Sequence, residues 1–266
     1  MARKPTAAAQ AALDQAQNLI YRAWEAASAK KRIALAEKAL AISPLCADAY
    51  VLLAEHAEPG SDLALDLWRR GVDAGGKAIG KAGFDEYAGM FWGFLETRPY
   101  MRARFGLART LWSRGILHEA IDHLRGMLSL NPNDNQGARY TLAAVLVEAA
   151  RDEELAVLLK QYSEDASAAW VWTAALAAFR RSGDKKESRA RLAEALDNNP
   201  YVPAYILGTK RVPKRVPPYY SPGEDDEAIV YALDFLTGWT LSPGAIDWLR
   251  SQVPAKKPAR RPPRQQ

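Results

Sequence analysis

One cysteine, Cys46, stands in a chain of 266 residues. A single thiol excludes an intramolecular disulfide framework and any zinc site built from several cysteines. Histidine is nearly as scarce, with His56, His118 and His123 the only three. Long apolar runs are also missing. The nearest, residues 168–179, falls short of the roughly eighteen residues that a membrane span requires. Arg3 and Lys4 are followed by Gln10, Asp14, Gln15 and Gln17 rather than the apolar core of a signal peptide. The chain contains no glycine-rich phosphate loop, no nucleophile beside a base and no acid pair in a catalytic setting. It therefore reads as a protein that is not an enzyme and calls for no cofactor and no metal. His118 with Asp122, and Glu119 with His123, stand four apart but on different helix faces, which does not make a metal site. The reducing cytoplasm is the expected compartment, with no membrane involvement.

Alternating β-branched runs are absent as well, while hydrophobic residues make up 48% and much of that is alanine. An all-α chain follows. Net charge is +5, from 36 Lys+Arg against 31 Asp+Glu. Lys256, Lys257, Arg260, Arg261 and Arg264 lie after Val253 with no acid among them, so the excess belongs to the tail and the body is formally neutral. A disordered basic tail over 254–266 is the expected consequence.

What is present is a repeating pattern, clearest over 98–132. Phe105, Ala108, Leu111 and Trp112, then Ile121, Leu124, Leu128 and Leu130, have helical spacing. Arg114-Gly115 separates the two runs and Asn131-Pro132 closes the second. Leu107, Ala108, Leu111, Gly115, Ala120 and Leu124 take the packing positions of a tetratricopeptide hairpin. Pro132 and Pro200 are 68 positions apart, twice the roughly 34-residue repeat. Leu142, Ala143, Leu146, Leu155 and Leu159 fill the next hairpin after a one-residue slip, and Trp172, Leu176, Phe179, Gly183, Leu192 and Ala195 the one after. Upstream, Ser43-Pro44 repeats the closing signal, but the interval to Pro132 is 88 residues, 20 more than two repeats. An extra helix through Phe84, Tyr87, Phe91, Phe94 and Leu95 fits the surplus, with Gly89 and Gly93 permitting close helix approach. The preceding helix, through Leu63, Leu67 and Trp68, is expected to lose definition at Gly75-Gly76 and Gly80.

The predicted architecture is thus an all-α, right-handed tetratricopeptide-like helical-hairpin solenoid with a C-terminal helical cap. Residues 1–9 form a flexible start and 10–208 the solenoid, degenerate over 10–98 and clear over 99–200. Residues 209–253 form a proline-rich link and cap. Ser221-Pro222-Gly223-Glu224 reads as a helix cap, followed by a helix whose face carries Ile229, Leu233 and Leu236. Tyr201, Tyr205, Tyr219 and Tyr220 are expected to order the link by packing, so that the cap shields the hairpin end at Leu192 and Leu196.

NPYVPAYILG, GEDDEAIVYALDFLTGW and GAIDWL in this region resemble the C-terminal part of the suppression-of-tumorigenicity family. FWGFLETRPYMRARFGLA and LNPNDNQGARY are similar to a bacterial branch described only as tetratricopeptide-containing. The resemblance implies a helical-repeat fold and brings no activity with it. Animal members carry membrane segments, for which this chain has no matching apolar run.

In such repeats the first helix of each hairpin faces a partner. The corresponding positions are Arg102, Phe105, Arg109, Trp112 and Ser113, then Gly137, Tyr140, Ala144, Val147 and Glu148, then Trp170, Thr173, Ala177, Arg180 and Arg181. Arginine and aromatics at these positions match the composition of binding hot spots. The candidate partner-binding groove is therefore Arg102, Phe105, Arg109, Trp112, Tyr140, Glu148, Trp170, Thr173 and Arg180. The alternative is that the aromatics seal adjacent helices and the arginines form a solvated face. Phe105, Gly106 and Thr141 stand where a carboxylate clamp would be polar, which argues against a chaperone C-terminal tail as ligand. Around Glu96–Arg104, Arg98 and Arg102 either hold an anion or pair with Glu96. The expected function is a non-enzymatic adaptor for an unidentified protein or peptide segment. The competing reading is a nucleic-acid-associated protein acting through the basic tail.

Overall fold

The computed structural model describes residues 6–215 and 217–253. The predicted basic tail and the first five residues lie outside them. The described residues form thirteen α-helices and two short 3-10 turns, with no strand. The chain divides into two compact units at Val145 and Leu146.

The first unit holds α1 (Ala7–Trp24), α2 (Ala29–Ile42), α3 (Ala47–His56), α4 (Asp62–Tyr87), α5 (Arg98–Ser113) and α6 (Leu117–Leu130). Consecutive helices pack on one another, α4 with α5, α1 with α2, α3 with α4 and α5 with α6 most extensively, and α3 also meets α5. Thr6, Ser28 and Ser61 begin three of them in extended conformation. Each Oγ accepts the N–H three residues on, at 3.3, 3.3 and 3.1 Å, which satisfies an otherwise unpaired helix donor. The expected flexible start is thus helical from Ala7 onward. Alanine dominates the core around Ile20, Ala23, Ala36, Ala39 and Leu52, allowing close helix approach.

Helix α4 does not dissolve at Gly75-Gly76. Gly71 and Gly75 face α5, where a Cβ on Gly75 would lie 2.9 Å from Tyr100 Cα and one on Gly71 3.1 Å from Ala103 Cβ. These glycines are demanded by a helix crossing rather than by a helix end. The break comes at Gly80 (φ +65°). The extra helix is formed only in part: past the break at Gly80 a helical segment up to Tyr87 carries Phe84 and Tyr87, then Gly89 turns the chain at φ +86°, and Phe91–Gly93 and Leu95–Thr97 form 3-10 turns. Gly93 has no near neighbour and Leu95 is exposed. The aromatic spacing serves a local cluster instead, with Phe84 5.1 Å from Phe91 and 5.3 Å from Tyr100 between ring centres. Leu107, Ala108, Leu111, Ala120 and Leu124 are all buried.

Helix α7 (Ala138–Glu148) contains the division between the units. The second unit then holds α8 (Asp152–Gln161), α9 (Ala168–Ser182), α10 (Lys186–Asn198), α11 (Val202–Ile206), α12 (Asp225–Leu241) and α13 (Ala245–Gln252). Helix α9 pairs with α10, and α12 packs most on α11; α12 and α13 both also pack on α9, and more on it than on the Leu192–Leu196 end of α10. The reason is aromatic: Trp172 meets Trp239 at 6.3 Å and Phe179 stacks on Trp248 at 4.4 Å.

Helix α12 buries Ala228, Tyr231, Ala232, Phe235, Gly238 and Trp239, while the predicted stripe of Ile229, Leu233 and Leu236 is only half-buried. Its start is organised differently from the expected cap. Asp226 Oδ1 accepts the Ser221 N–H at 3.0 Å and Glu227 Oε2 the Gly223 N–H at 2.8 Å. Tyr205 is buried, but Tyr219 and Tyr220 are 87% and 50% exposed, so these two do not order the link by packing.

Candidate functional site

One cleft of the first unit lies between α3 and α5. It is a cleft of about 500 Å³ lined by Val51, Ala54 and Glu55 of α3 and by Arg102, Phe105 and Arg109 of α5, with Trp68 of α4 alongside. Gly106 makes this shape, because a Cβ there would fall 2.3 Å from the Trp68 ring. Three of the predicted groove residues therefore share one cleft.

Their states differ. Arg102 grips Asp48 with both ends of its guanidinium, Nε to Oδ1 at 2.8 Å and Nη2 to Oδ2 at 2.5 Å. Asp48 is fully buried in the first turn of α3, where the helix dipole favours a carboxylate. Gln17 Nε2 donates to the same carboxylate at 2.9 Å, and the Trp24 ring lies 5.3 Å from the guanidinium. This cluster ties α1, α3 and α5 together. Beside it, burial pushes the Cys46 thiol up to about 12, so no thiolate is available at neutral pH. Phe105 is half-buried and Arg109 exposed. Arg109 donates to Thr141 Oγ1 at 3.3 Å and lies over the half-buried Trp112 ring at 5.7 Å. Tyr140 is half-buried, with Arg139 4.2 Å over its ring and 2.6 Å from its hydroxyl.

In the second unit the predicted face is covered by the chain itself. Gly238 of α12 comes so near α7 that a Cβ would stand 2.5 Å from Val147 Cγ1. Arg180 Nη1 donates to Ser242 Oγ just past α12 at 2.7 Å, and Arg180 Nε to Asp152 Oδ1 at 2.8 Å. Thr173 is fully buried. Thr173 and Arg180 are thus structural and not partner contacts here, because α12 and the turn after it occupy their side of the helix. Trp170 is also buried. It donates to the Leu159 carbonyl at 3.4 Å and lines a separate cleft of about 360 Å³ between α8, α9 and α10. Glu148 is half-buried at the end of α7.

Glu227 holds the α12 seam. Its nearly buried carboxylate accepts the Ala168 N–H at the start of α9 at 2.9 Å and Asn199 Nδ2 at 3.0 Å, besides Gly223. Sequence reasoning missed both Glu227 and Asp48. Glu227 sits in an acidic run that looks like solvated surface, and nothing local marks Asp48.

The segment 96–104 resolves into separate contacts. Tyr87 donates to Glu96 at 3.1 Å, Arg98 Nε to the Trp92 carbonyl at 3.0 Å, and Arg102 to Asp48. The expected Glu96–arginine pair is not what orders it; the Thr97 hydroxyl, donating to the Phe91 and Phe94 carbonyls, does more of that. His118 and Asp122 form an exposed pair at 3.4 Å, and burial followed by the Arg104 charge lowers the His123 pKa. No group of three metal-binding side chains exists among the described residues. Among them, too, no helix is long and apolar enough to cross a membrane.

A C. elegans protein named Protein ST7 homolog is 27% identical over 85% of this chain and 48% of its own length. A zebrafish (Danio rerio) Suppressor of tumorigenicity 7 protein-like is 25% identical, over 87% and 43%. The Drosophila melanogaster Protein ST7 homolog is 27% identical, over 87% and 47%. The chain spans about half the length of these curated relatives. The family model described as ST7 protein matches residues 7–255, which takes in both units and the α12 seam, and the chain therefore belongs to the ST7 family.

Proposed function

We propose that this chain is a non-enzymatic, cytoplasmic adaptor that holds a helical segment of another protein on the α3–α5 face. The helix pairs are taken as tetratricopeptide-like hairpins, a reading supported by two equivalent turns and a third positive-φ glycine. Gly115 (φ +73°), Ala150 (φ +53°) and Gly183 (φ +69°) lie between α5 and α6, α7 and α8, and α9 and α10. The first two share one hydrogen-bond pattern: Ile116 N–H to Leu111 O and Arg151 N–H to Leu146 O, both at 2.9 Å. This is the Schellman end of a helix, repeated 35 positions on.

The observation that carries the proposal is the contrast in occupancy. In the second unit, the side of α7 and α9 that carries Val147 and Arg180 takes a helix, α12, against it. In the first unit the cleft between α3 and α5 stays open, with an aromatic and two arginines along it. An amphipathic helix laid in a groove is a recurrent mode of recognition.

Affinity purification from native cells with wild type and Phe105→Ala/Arg109→Glu tests this. Arg102 is left intact because it supports the fold. The proposal expects at least one partner whose recovery falls about tenfold or more with the variant. Identical partner profiles from two equally stable proteins would remove the cleft from consideration.

A further inference from the structure

Between α1, α4 and the 3-10 turn that leads into α5, the first unit holds a second pocket, of about 230 Å³. It shares no lining residue with the α3–α5 cleft. Its floor is small and apolar: Ala47 and Gly75 are buried there, with half-buried Leu13, Leu45 and Ala78 beside them. Its rim carries Asp14 and Tyr21 of α1 and Leu95 and Glu96 of the turn, all exposed. Tyr21 is 47% and Leu95 67% exposed, so two large apolar side chains stand in water at the mouth.

The turn holds its residues in place. The Thr97 hydroxyl donates to the Phe91 and Phe94 carbonyls, and the Phe94 ring lies 4.5 Å from that of Tyr87. The Tyr87 hydroxyl in turn donates to Glu96 Oε1 at 3.1 Å, and on α1 Gln10 Nε2 donates to Asp14 Oδ1 at 2.9 Å. Both carboxylates are thus oriented by neutral donors, and neither forms an ion pair among the described residues. Among those residues no lysine, arginine or histidine lines the pocket. Arg102, which shares Asp48 with the pocket-lining Gln17, is neutralised by that carboxylate.

Two uncompensated negative charges above an apolar floor favour a cation whose body is apolar. A metal ion fits poorly, because the floor supplies no further oxygen ligand and no group of three metal-binding side chains exists among the described residues. The volume lies below the roughly 300 Å³ at which sites for drug-sized ligands begin, which suits an occupant no larger than one basic side chain. We propose that this pocket binds an organic cation, a primary ammonium or guanidinium on a short apolar stem. Asp14 and Glu96 take the charged head, and Leu13, Tyr21 and Leu95 flank the stem. A small free amine and the lysine or arginine side chain of a peptide share this chemistry.

The test follows the amide NMR spectrum of the isotope-labelled full chain during three titrations. The probes are phenethylamine, its neutral isostere phenethyl alcohol, and a capped glycine peptide with one central lysine. The proposal expects saturable shifts at Asp14, Tyr21 and Glu96 with a cationic probe and far weaker ones with the alcohol. Asp14→Asn/Glu96→Gln should weaken binding about tenfold or more, and added salt should weaken it too. These substitutions keep the oxygens that accept from Gln10 and Tyr87, so the melting midpoint should match that of wild type. Ala78→Leu, which fills the floor without touching either carboxylate, should abolish binding, whereas Phe105→Ala/Arg109→Glu in the other cleft should leave it unchanged. Peptide binding at least as tight as that of phenethylamine assigns the pocket to a partner's basic side chain, and binding of phenethylamine alone assigns it to a free amine. No saturable shift with either cationic probe, equal binding of the alcohol, or binding indifferent to the carboxylate substitutions overturns the proposal. Should the carboxylate variant melt early, Ala78→Leu decides instead, and unchanged binding by that chain overturns the proposal as well.

Discussion

The α3–α5 face of the first unit and the α7–α9 face of the second are built from the same kind of helix pairs but end differently. In the first, an arginine anchored on a buried carboxylate lines the cleft, and an apolar helix laid there would have to strip water from its guanidinium. In the second, Val147, Thr173 and the aromatics of α9 meet a helix whose contact stripe is alanine, glycine and aromatic. Pattern positions alone therefore do not decide whether a face is a binding surface. The polarity of its lining, and whether the chain supplies its own cover, decide it.

The strongest way to break the contrast is Trp239→Ala. Trp239 is fully buried, donates to the Tyr231 hydroxyl at 2.7 Å and lies between Trp172 and Trp248 at 6.3 and 6.5 Å. Removing it is expected to cost about 3–5 kcal/mol and to raise hydrogen exchange along α9 and α12. Phe105→Ala in the open cleft should cost far less. Equal losses in denaturant titrations of the two variants would mean that both faces are packed alike.

Next in size is Arg102→Ala. It leaves Asp48 buried with only Gln17 for company, and removal of one partner from a buried pair costs about 3–5 kcal/mol. Arg109→Ala, two turns further on but exposed, should cost less than about 1 kcal/mol. The two arginines look alike in the sequence, four and eleven positions into one helix register, and a stability measurement separates them. If Arg102→Ala proves as mild as Arg109→Ala, the polar cluster does not hold the cleft open.

What was legible from the sequence was mostly local. Gly115 and Asn131-Pro132 mark helix ends because backbone geometry acts over a few residues. The buried positions of α5 and α6 follow from helical spacing for the same reason. The α12 seam was not legible, since it depends on residues some sixty to ninety positions apart. Leucine and isoleucine also drew attention to the wrong stripe: Ala228, Gly238 and the aromatics bury better there because the approach to α7 is tight. Gly75 and Gly89 show the same ambiguity. One glycine permits a helix crossing and the other a turn, and composition does not distinguish them. At the candidate site, Phe105 and Arg109 were visible as a pattern, whereas Asp48 was not, because its role exists only once α5 is folded against α3.

The smallest expected effect comes from the turns that the two units share. Gly115 and Ala150 close equivalent helix ends in the left-handed region, at φ +73° and +53°. A Cβ on Gly115 would meet nothing within 4 Å, so any difference between the turns is conformational and not steric. Ala150 carries a strain of about 1–2 kcal/mol that glycine does not. Glycine gives back about 0.4–1 kcal/mol through the greater freedom of the unfolded chain. Ala150→Gly should therefore stabilise the protein by roughly 0.5–1 kcal/mol, and Gly115→Ala should destabilise it by a similar amount. Both are read as shifts of the denaturation midpoint with unchanged slope. An Ala150→Gly variant that is less stable than wild type would show that the methyl group makes a contact worth more than the strain, and the two turns would no longer be equivalent.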